Sequence, residues 1–186
     1  MRSFRFLTIL ALVTLGASAA NDSRKLVISL ADHKLALVED GRAVKVYPIA
    51  VGKPSTPSPT GAFEIIERVA NPTWYGPHQV VAPGPDNPLG TRWMGLSYKG
   101  YGIHGTNAPR SIGKSASHGC IRMRRQDVEE LFELVHVGEP VELLDQATGE
   151  LAKLFEMPSA SAKIMLASNK HGNPAAANHT TSGGRL

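Results

Sequence analysis

The stretch Tyr101-Gly102-Ile103-His104-Gly105-Thr106 is followed, after a loop, by Ser115-Ala116-Ser117-His118-Gly119-Cys120-Ile121-Arg122-Met123. The first segment has the pattern of a short apolar strand that carries His104 at its end. The second predicts a tight turn that presents Cys120. A cysteine with a histidine nearby is typical of a nucleophile with its base. We therefore interpret the rest of the chain as scaffold and substrate groove for this pair.

Short apolar runs bounded by turn residues occur on both sides of this stretch and predict strands. Asp40-Gly41 between two of them is a strong hairpin signal. The predicted strands are Leu26–Leu30, Lys34–Glu39, Ala43–Val51, Gly61–Val69, Arg92–Tyr98, Tyr101–His104 and Pro140–Leu144. Helical periodicity appears once, over about 124–136, with a single apolar stripe. The pattern predicts a mainly β fold, a sandwich or barrel-like sheet with one capping helix.

A segment rich in proline and glycine separates two of these strands and carries Trp74 and Tyr75. Such a long irregular insert inside a compact domain is usually functional or mobile. The two aromatic side chains either line a substrate groove or pack the insert onto the core, and the sequence favours neither.

The composition limits the classes of protein to which the chain can belong. The chain has 186 residues and 42% hydrophobic content, enough for one domain with a packed core. Its formal charge is +4, and the basic residues are dispersed along the chain. This dispersal indicates a solvated basic surface and disfavours nucleic-acid binding.

The two ends of the chain differ from the middle. Residues 1–20 resemble a signal peptide, with Arg2 and Arg5 before the apolar run Phe6–Leu15 and a small-residue cleavage site near Ala19. The alternative is an uncleaved anchor. After cleavage we expect no stable membrane insertion.

We assign residues 25–145 to a catalytic domain. We assign residues 146–186 to a tail that is largely disordered from about 157, and we expect the domain to fold without this tail.

Cys120 is the single cysteine of the sequence. Structural cysteines of exported proteins normally occur in pairs, so we do not expect Cys120 to form a disulfide within the chain. The alternatives to a catalytic thiol are a buried inert thiol and an intermolecular disulfide. An enzyme should show a thiol of low pKa that alkylates quickly near neutral pH, whereas a binding module should show an ordinary thiol.

Two histidines are candidates for the base. We favour His104, at a strand end, because a rigid element positions a side chain better than a turn does. The amides of His118, Gly119 and Cys120 are candidates for an oxyanion hole, and the alternative for Gly119 is an ordinary turn. Arg122 pairs either with a substrate carboxylate or with a structural acid. A zinc site is disfavoured, because the spacing matches no metal signature.

The sequence resembles the YkuD-type L,D-transpeptidases. The matching motifs are Ile103–Thr106 and Ser117–Met123, with Pro59–Gly61, Asn71–Trp74 and Leu89–Met94 upstream. The resemblance extends from about Lys25 to Leu144. It implies a β-rich catalytic domain that acts on peptidoglycan stem peptides in the periplasm or cell envelope, with no cofactor and no metal.

The resemblance also implies roles for individual residues. Cys120 attacks the stem tetrapeptide, D-Ala leaves, and an amine then attacks the thioester to give a 3→3 cross-link. His104 moves the protons, the Gly105 carbonyl orients it, and His118 and Gly119 belong to the oxyanion turn. The residues that we assign to substrate binding are Arg122, Trp74, Tyr75, Thr106 and Ser117.

Three other functions stay open at this point. Water in place of the amine would make the protein an L,D-carboxypeptidase or amidase. A lysine amine of an envelope protein would make it an anchoring enzyme. A degenerate site would leave a non-catalytic cell-wall binding module.

Overall fold

The computed structural model of the protein describes residues 24–146 and 149–156. The expected signal peptide at 1–20 and the expected tail from about 157 onward lie outside these residues. Within the described residues the chain forms eleven strands and two α-helices. The strands are β1 Lys25–Ser29, β2 Lys34–Glu39, β3 Arg42–Gly52, β4 Gly61–Ala70, β5 Trp74–Tyr75, β6 Val80–Val81, β7 Arg92–Leu96, β8 Gly102–His104, β9 Ser115–Ser117, β10 Ile121–Met123 and β11 Pro140–Leu144.

The main sheet closes on itself. Strands β1, β2 and β3 form the predicted antiparallel meander, and β11 and β4 continue the sheet on the other side of β1. From β4 the order runs through β7 and β8 to β10, which also pairs with β3. This double pairing of β10 closes a ring and confirms the mainly β, barrel-like fold. Closure also removes the exposed edges that an open sheet would present.

The interior of the barrel is filled by branched and sulfur-containing side chains that alternate along the strands. Their inward positions follow from the two-residue period of a strand. The largest fully buried side chains are Leu26, Ile28, Leu35, Leu37, Ile49, Ile65, Met94, Ile103, Ile121, Met123, Leu131 and Leu143. Two of them, Ile121 and Met123, come from β10, so the strand that closes the barrel also packs its core.

Helix α1 spans Arg125–Leu134, within the predicted range. It buries Val128 and Leu131 fully against the barrel. Two guanidinium groups lie near the Phe132 ring, that of Arg68 at 4.1 Å and that of Arg92 at 5.2 Å from its centroid. Arg68 also donates a hydrogen bond to the Phe132 carbonyl. These cations near the helix C-terminus interact favourably with the helix dipole and fix α1 on β4 and β7.

Helix α2, Gly149–Glu156, is an element that the sequence analysis did not predict. Its Leu151 and Phe155 are buried against a second apolar cluster on the outer face of β1, β2 and β3. That cluster exists because β1 and β2 are apolar on both faces: Val27 and Val38 are buried as well as the inward-facing residues. A sheet buried on both faces needs a cover on its outer side, and α2 supplies it. Neither helix of the described residues has the length and apolar character needed to span a bilayer.

Candidate active site

Two adjacent parallel strands place the predicted nucleophile and base. In the pairing of β8 with β10, Ile103 is opposite Ile121 and His104 is opposite Arg122. Cys120 directly precedes β10, which puts it level with Gly102. Alternation along β8 then places His104 on the same face as this position. The sixteen-residue separation in sequence is thus reduced to neighbouring positions on two paired strands.

Hydrogen bonding defines the tautomer of His104. Its Nδ1 lies 2.6 Å from the carbonyl oxygen of Gly105. A carbonyl only accepts hydrogen bonds, so Nδ1 carries the proton and the neutral ring has its lone pair on Nε2. The ring is 4% exposed and stacks on Trp93, with 5.7 Å between ring centroids. This is the orientation that the resemblance implied for His104 and the Gly105 carbonyl.

Burial dominates the protonation of His104. Burial, together with the positive charge of Arg122, lowers the pKa of the imidazole to about 4, although hydrogen bonding to the carbonyls of Gly105 and Leu89 acts in the opposite direction. At neutral pH the ring is therefore uncharged and can accept a proton. A base that is already neutral needs no deprotonation step before it acts.

The Cys120 thiol differs from the expectation of a low pKa. Burial raises the pKa of the thiol, although the backbone N–H of Gly102 and the charge of Arg122 oppose the rise. The sulfur lies 3.7 Å from the carbonyl oxygen of Gly100. The resting pair is thus a neutral thiol beside a neutral imidazole, because desolvation disfavours both charged forms.

The turn before the nucleophile is held by Ser117. Its hydroxyl donates to the Cys120 carbonyl at 2.6 Å and accepts from the Gly119 N–H at 3.0 Å. Gly119 has φ +111°, and a Cβ there would lie 2.4 Å from the Tyr101 ring. Glycine is therefore required at this position, because other residues rarely adopt the positive φ and because a Cβ would clash with Tyr101. The Gly119 amide donates to this hydroxyl within the turn, and its assignment to an oxyanion hole stays a prediction.

His118 lies on the solvent side of the site. It is exposed, and its Nε2 is 3.4 Å from the ammonium of Lys53. An ammonium has only donors, so Nε2 of His118 is the acceptor. His118 therefore has its ring nitrogen engaged outside the thiol–imidazole pair.

Cys120 lies where two cavities meet. One, of about 530 Å³, we call the Arg122 cavity; its lining includes Trp74, Leu89, His104, His118, Cys120 and Arg122. The other, of about 640 Å³, we call the Glu67 cavity; its lining includes Glu67, Trp74, Tyr75, Leu89, Trp93 and Cys120. Trp74 and Leu89 separate the two spaces and line both. A reacting carbonyl at the sulfur can thus be approached from two sides.

The structure brings most, but not all, of the predicted substrate-binding residues to these cavities. Arg122, Trp74 and Ser117 line the Arg122 cavity, and Tyr75, 78% exposed, lines the Glu67 cavity. Thr106 does not reach either one. It lines a separate cavity beside Asn107, and its hydroxyl accepts from the Ala108 N–H at 3.0 Å, which is a local turn contact.

Sequence reasoning did not single out Lys53 and Glu67. Lys53 lies in an irregular segment with no periodic pattern, and Glu67 lies on β4 among ordinary surface charges. No local signal distinguishes them, because pairing of distant strands brings them to Cys120. In the part of the chain that the structure describes, no group of three or more His, Cys, Asp or Glu side chains is placed to hold a metal ion.

Comparison with known proteins identifies the family. The sequence model of the YkuD family, described as the L,D-transpeptidase catalytic domain, matches residues 23–143. YqjB of Bacillus subtilis, named as an L,D-transpeptidase, is 36% identical over 145 residues, which is 75% of this chain and 82% of YqjB. YkuD of the same organism is 45% identical over 116 residues, 62% of this chain and 63% of YkuD.

Solved structures agree with the sequence relatives. The catalytic domain of an Enterococcus faecium L,D-transpeptidase superposes with a TM-score of 0.55 at 26% identity, covering 66% of this chain and 98% of that domain. An L,D-transpeptidase of Mycobacterium tuberculosis has a TM-score of 0.57 at 20% identity, over 66% of this chain and 58% of that one, which supports the fold alone. The chain belongs to the YkuD family of L,D-transpeptidase catalytic domains.

Proposed function

We propose that the protein is a peptidoglycan L,D-transpeptidase with Cys120 as nucleophile and His104 as base. The observation that carries the proposal is the position of Cys120 at the meeting point of two cavities, beside an imidazole with its proton on Nδ1. A transfer between two peptides needs one side for the donor and another for the acceptor. Because the family acts on peptidoglycan stem peptides, the proposal also places the protein outside the cytoplasm.

The first half-reaction acylates the thiol. As the Cys120 sulfur attacks the stem carbonyl before the terminal D-Ala, its proton passes to the Nε2 of His104. The new C–S bond forms, the C–N bond to D-Ala breaks, and the leaving nitrogen takes the proton from His104. The products are a thioester and free D-Ala, with the imidazole neutral again.

The second half-reaction transfers the acyl group. A neutral primary amine attacks the thioester carbonyl, the C–N bond forms and the C–S bond breaks. The proton of the amine passes through His104 to the departing sulfur. An amide and the free thiol result, so the cycle consumes no cofactor.

A thiol that is neutral at rest suits this mechanism. The thiolate is the stronger nucleophile, and because burial raises the pKa of the Cys120 thiol, the sulfur needs a base such as His104 to take its proton as it attacks. Arg122, which favours the thiolate, also lines the cavity where we place the donor stem. Its guanidinium is the candidate partner for the carboxylate of the leaving D-Ala.

The experiment is mass spectrometry of tetrapeptide muropeptides incubated with the protein and with Cys120→Ala. We expect dimers joined by 3→3 links from the wild type and none from the variant, with the fold of the variant unchanged by circular dichroism. Tripeptides without dimers would instead identify an L,D-carboxypeptidase. Products from both proteins would rule out Cys120 as the nucleophile. No product from either would favour an envelope-protein lysine as acceptor, or a binding module, and that lysine acceptor is then tested directly.

A further inference from the structure

The two cavities beside Cys120 differ in charge. Among the described residues that line the Glu67 cavity, Glu67 is the one with a charged side chain. The Arg122 cavity has Arg122 in its lining, and Lys53 contacts its His118. Cys120 therefore lies between an acidic space and a basic space. Ligands of opposite charge are favoured on its two sides.

The Glu67 carboxylate is held in a defined position. Its Oε1 accepts a hydrogen bond of 2.7 Å from the indole Nε1 of Trp93. Opposite Glu67 on β7 is Gly95, where a Cβ would lie 2.7 Å from the Glu67 Cγ and 2.8 Å from its Oε1. Any larger residue at 95 would displace the carboxylate, so the strand pair leaves room for this side chain.

This carboxylate still has capacity to bind a ligand. An ionised carboxylate has about four lone-pair positions, and the Trp93 indole uses one of them. None of the ion pairs within the described residues involves Glu67. It is an exposed acid beside a cavity that contains the nucleophile.

The surroundings of Glu67 fit an ammonium on an aliphatic chain. Trp74, Tyr75 and Trp93 line the same cavity and offer aromatic surface. Aromatic faces attract a cation and pack against methylene groups, while a carboxylate accepts hydrogen bonds from the ammonium. A neutral or anionic ligand would gain nothing from Glu67.

We propose that Glu67, held by Trp93 and Gly95, binds the ammonium of the acceptor amine, a primary amine at the end of an aliphatic side chain. This inference rests on the proposed function, since it concerns the second substrate of that reaction. Glu67 binds the acceptor as a cation beside the thioester. After the ammonium loses one proton to water, the neutral amine is already near the carbonyl that it attacks.

A binding measurement tests the site without any turnover. The probe is Nα-acetyl-lysine amide, titrated into the protein while the Trp93 indole N–H resonance is followed by NMR. We expect a saturable shift, and a dissociation constant about two- to five-fold higher in Glu67→Gln, which is the range of an exposed ion pair. Gln retains an oxygen that accepts from Trp93, so the substitution removes mainly the charge. The norleucine analogue, which lacks the ammonium, should bind the wild type more weakly than the lysine amide does, and its dissociation constant should be the same in the wild type and Glu67→Gln.

Glu64→Gln is the matched control. Glu64 lies on the same strand, is exposed, and is outside the lining of both cavities. It removes the same charge from the chain, so it should leave the lysine-amide titration unchanged. If it weakens binding as much as Glu67→Gln does, the effect is one of overall charge and the proposal fails.

A kinetic comparison tests the role in transfer. The acyl-enzyme is formed from a tetrapeptide stem and resolved either by Nα-acetyl-lysine amide or by hydroxylamine, which is uncharged at neutral pH. We expect the ratio of the two KM values, charged over uncharged acceptor, to rise about two- to five-fold in Glu67→Gln. High salt should raise this ratio in the wild type and leave it unchanged in Glu67→Gln.

The outcomes separate the two proposals. Failure of the wild type to release D-Ala would overturn the proposed function, while the NMR titration would still decide whether Glu67 binds an ammonium. Normal acylation with equal lysine-amide affinity in the wild type and Glu67→Gln would overturn this inference alone. This inference would also fail if the norleucine analogue bound the wild type as tightly as the lysine amide does.

Discussion

At the scale of single residues, burial determines the resting protonation of the proposed nucleophile, Cys120, and its proposed base, His104. It lowers the pKa of His104 to about 4 and raises the pKa of the Cys120 thiol. Each neutral form is favoured by the same desolvation, so the pair does not need to exist as thiolate and imidazolium before substrate binds. The imidazole is then uncharged, and able to accept a proton, at any pH above about 4.

We predict that His104→Ala loses far more activity than His118→Ala. His104 is buried with its Nδ1 proton on the Gly105 carbonyl, whereas His118 is exposed and its Nε2 accepts from Lys53. Loss of a general base typically costs about 10²- to 10⁴-fold in rate, and loss of a residue at the edge of the cavity costs much less. The measurement is kcat for release of D-Ala by each variant.

Thermal melting of both variants serves as the control for folding. The reverse ranking, with both variants folded, would exchange the roles of the two histidines. A His104→Gln variant that also melts like the wild type would show that loss of the imidazole, and not a cavity in the core, causes the loss of rate.

At the scale of elements, β10 joins the fold to the chemistry. The strand pairs with both β3 and β8 and buries Ile121 and Met123, while Cys120 lies at its start and Arg122 projects into the cavity beside His104. The proposed nucleophile thus directly precedes the strand that closes the barrel. A rigid strand of this kind keeps the sulfur and the imidazole in register.

Helix α2 changes what we expect from shortening the chain. Its Leu151 and Phe155 cover an apolar patch on the outer face of the barrel. Truncation after Gln146 should leave a folded protein, because the main core is separate from this patch, but should lower its stability by about 1–3 kcal/mol. That range is the order of the contribution of one buried apolar side chain. Urea unfolding of the truncated chain gives the value.

Truncation after Glu156 is the matched control, because it retains α2. We expect its unfolding midpoint to be higher than that of the chain that ends at Gln146. Equal midpoints would show that α2 contributes nothing to stability. Loss of cooperative unfolding after Gln146 would show that the second cluster is part of the main core.

At the scale of the whole molecule, the buried imidazole makes stability depend on pH. The pKa of His104 falls from 6.5 to about 4 on folding, so the unfolded chain binds a proton at a pH where the folded chain does not. The contribution of His104 to the free energy of unfolding has its full value above pH 6.5 and decreases as the pH falls towards 4. Below pH 4 it changes no further. We predict a loss of about 3 kcal/mol over this interval.

The test is urea unfolding at both ends of the interval for the wild type and for His104→Gln. Carboxylates titrate equally in both proteins. The difference between their slopes of unfolding free energy against pH is therefore due to His104. We expect the wild type to lose more stability than the variant as the pH falls. Parallel curves would mean that His104 titrates normally in the folded protein.

Much of this fold was predictable from local patterns. The Asp40-Gly41 turn, the β1–β3 meander and helix α1 follow from turn residues and periodicity, which act over a few neighbouring residues. Helix α2 was not predicted, because its eight residues are too few for a clear period. The apolar residues on both faces of β1 and β2 were the signal that a cover was needed.

The candidate site was predictable where chemistry is local and unpredictable where it depends on strand pairing. Cys120, His104 and the Ser117–Cys120 turn were recognised from residue type and spacing. Glu67 and Lys53 were not, because each lies far from Cys120 in sequence and belongs to an ordinary surface pattern. The low thiol pKa was expected from the histidine nearby, and burial reverses it.

The sequence by itself determined seven of the strands, β1 to β4, β7, β8 and β11, and the identity of the family, since these depend on side-chain chemistry and short-range periodicity. The short strands β5, β6, β9 and β10 were not predicted, because two or three residues show no clear alternation. Only the tertiary structure decided which groups face Cys120, how strongly each is desolvated, and which charge lies on each side of it. Pairing of β4 with β7 and of β8 with β10 brings those groups together. Desolvation and the electric field at a site depend on every residue around it, and that arrangement exists only in the folded chain.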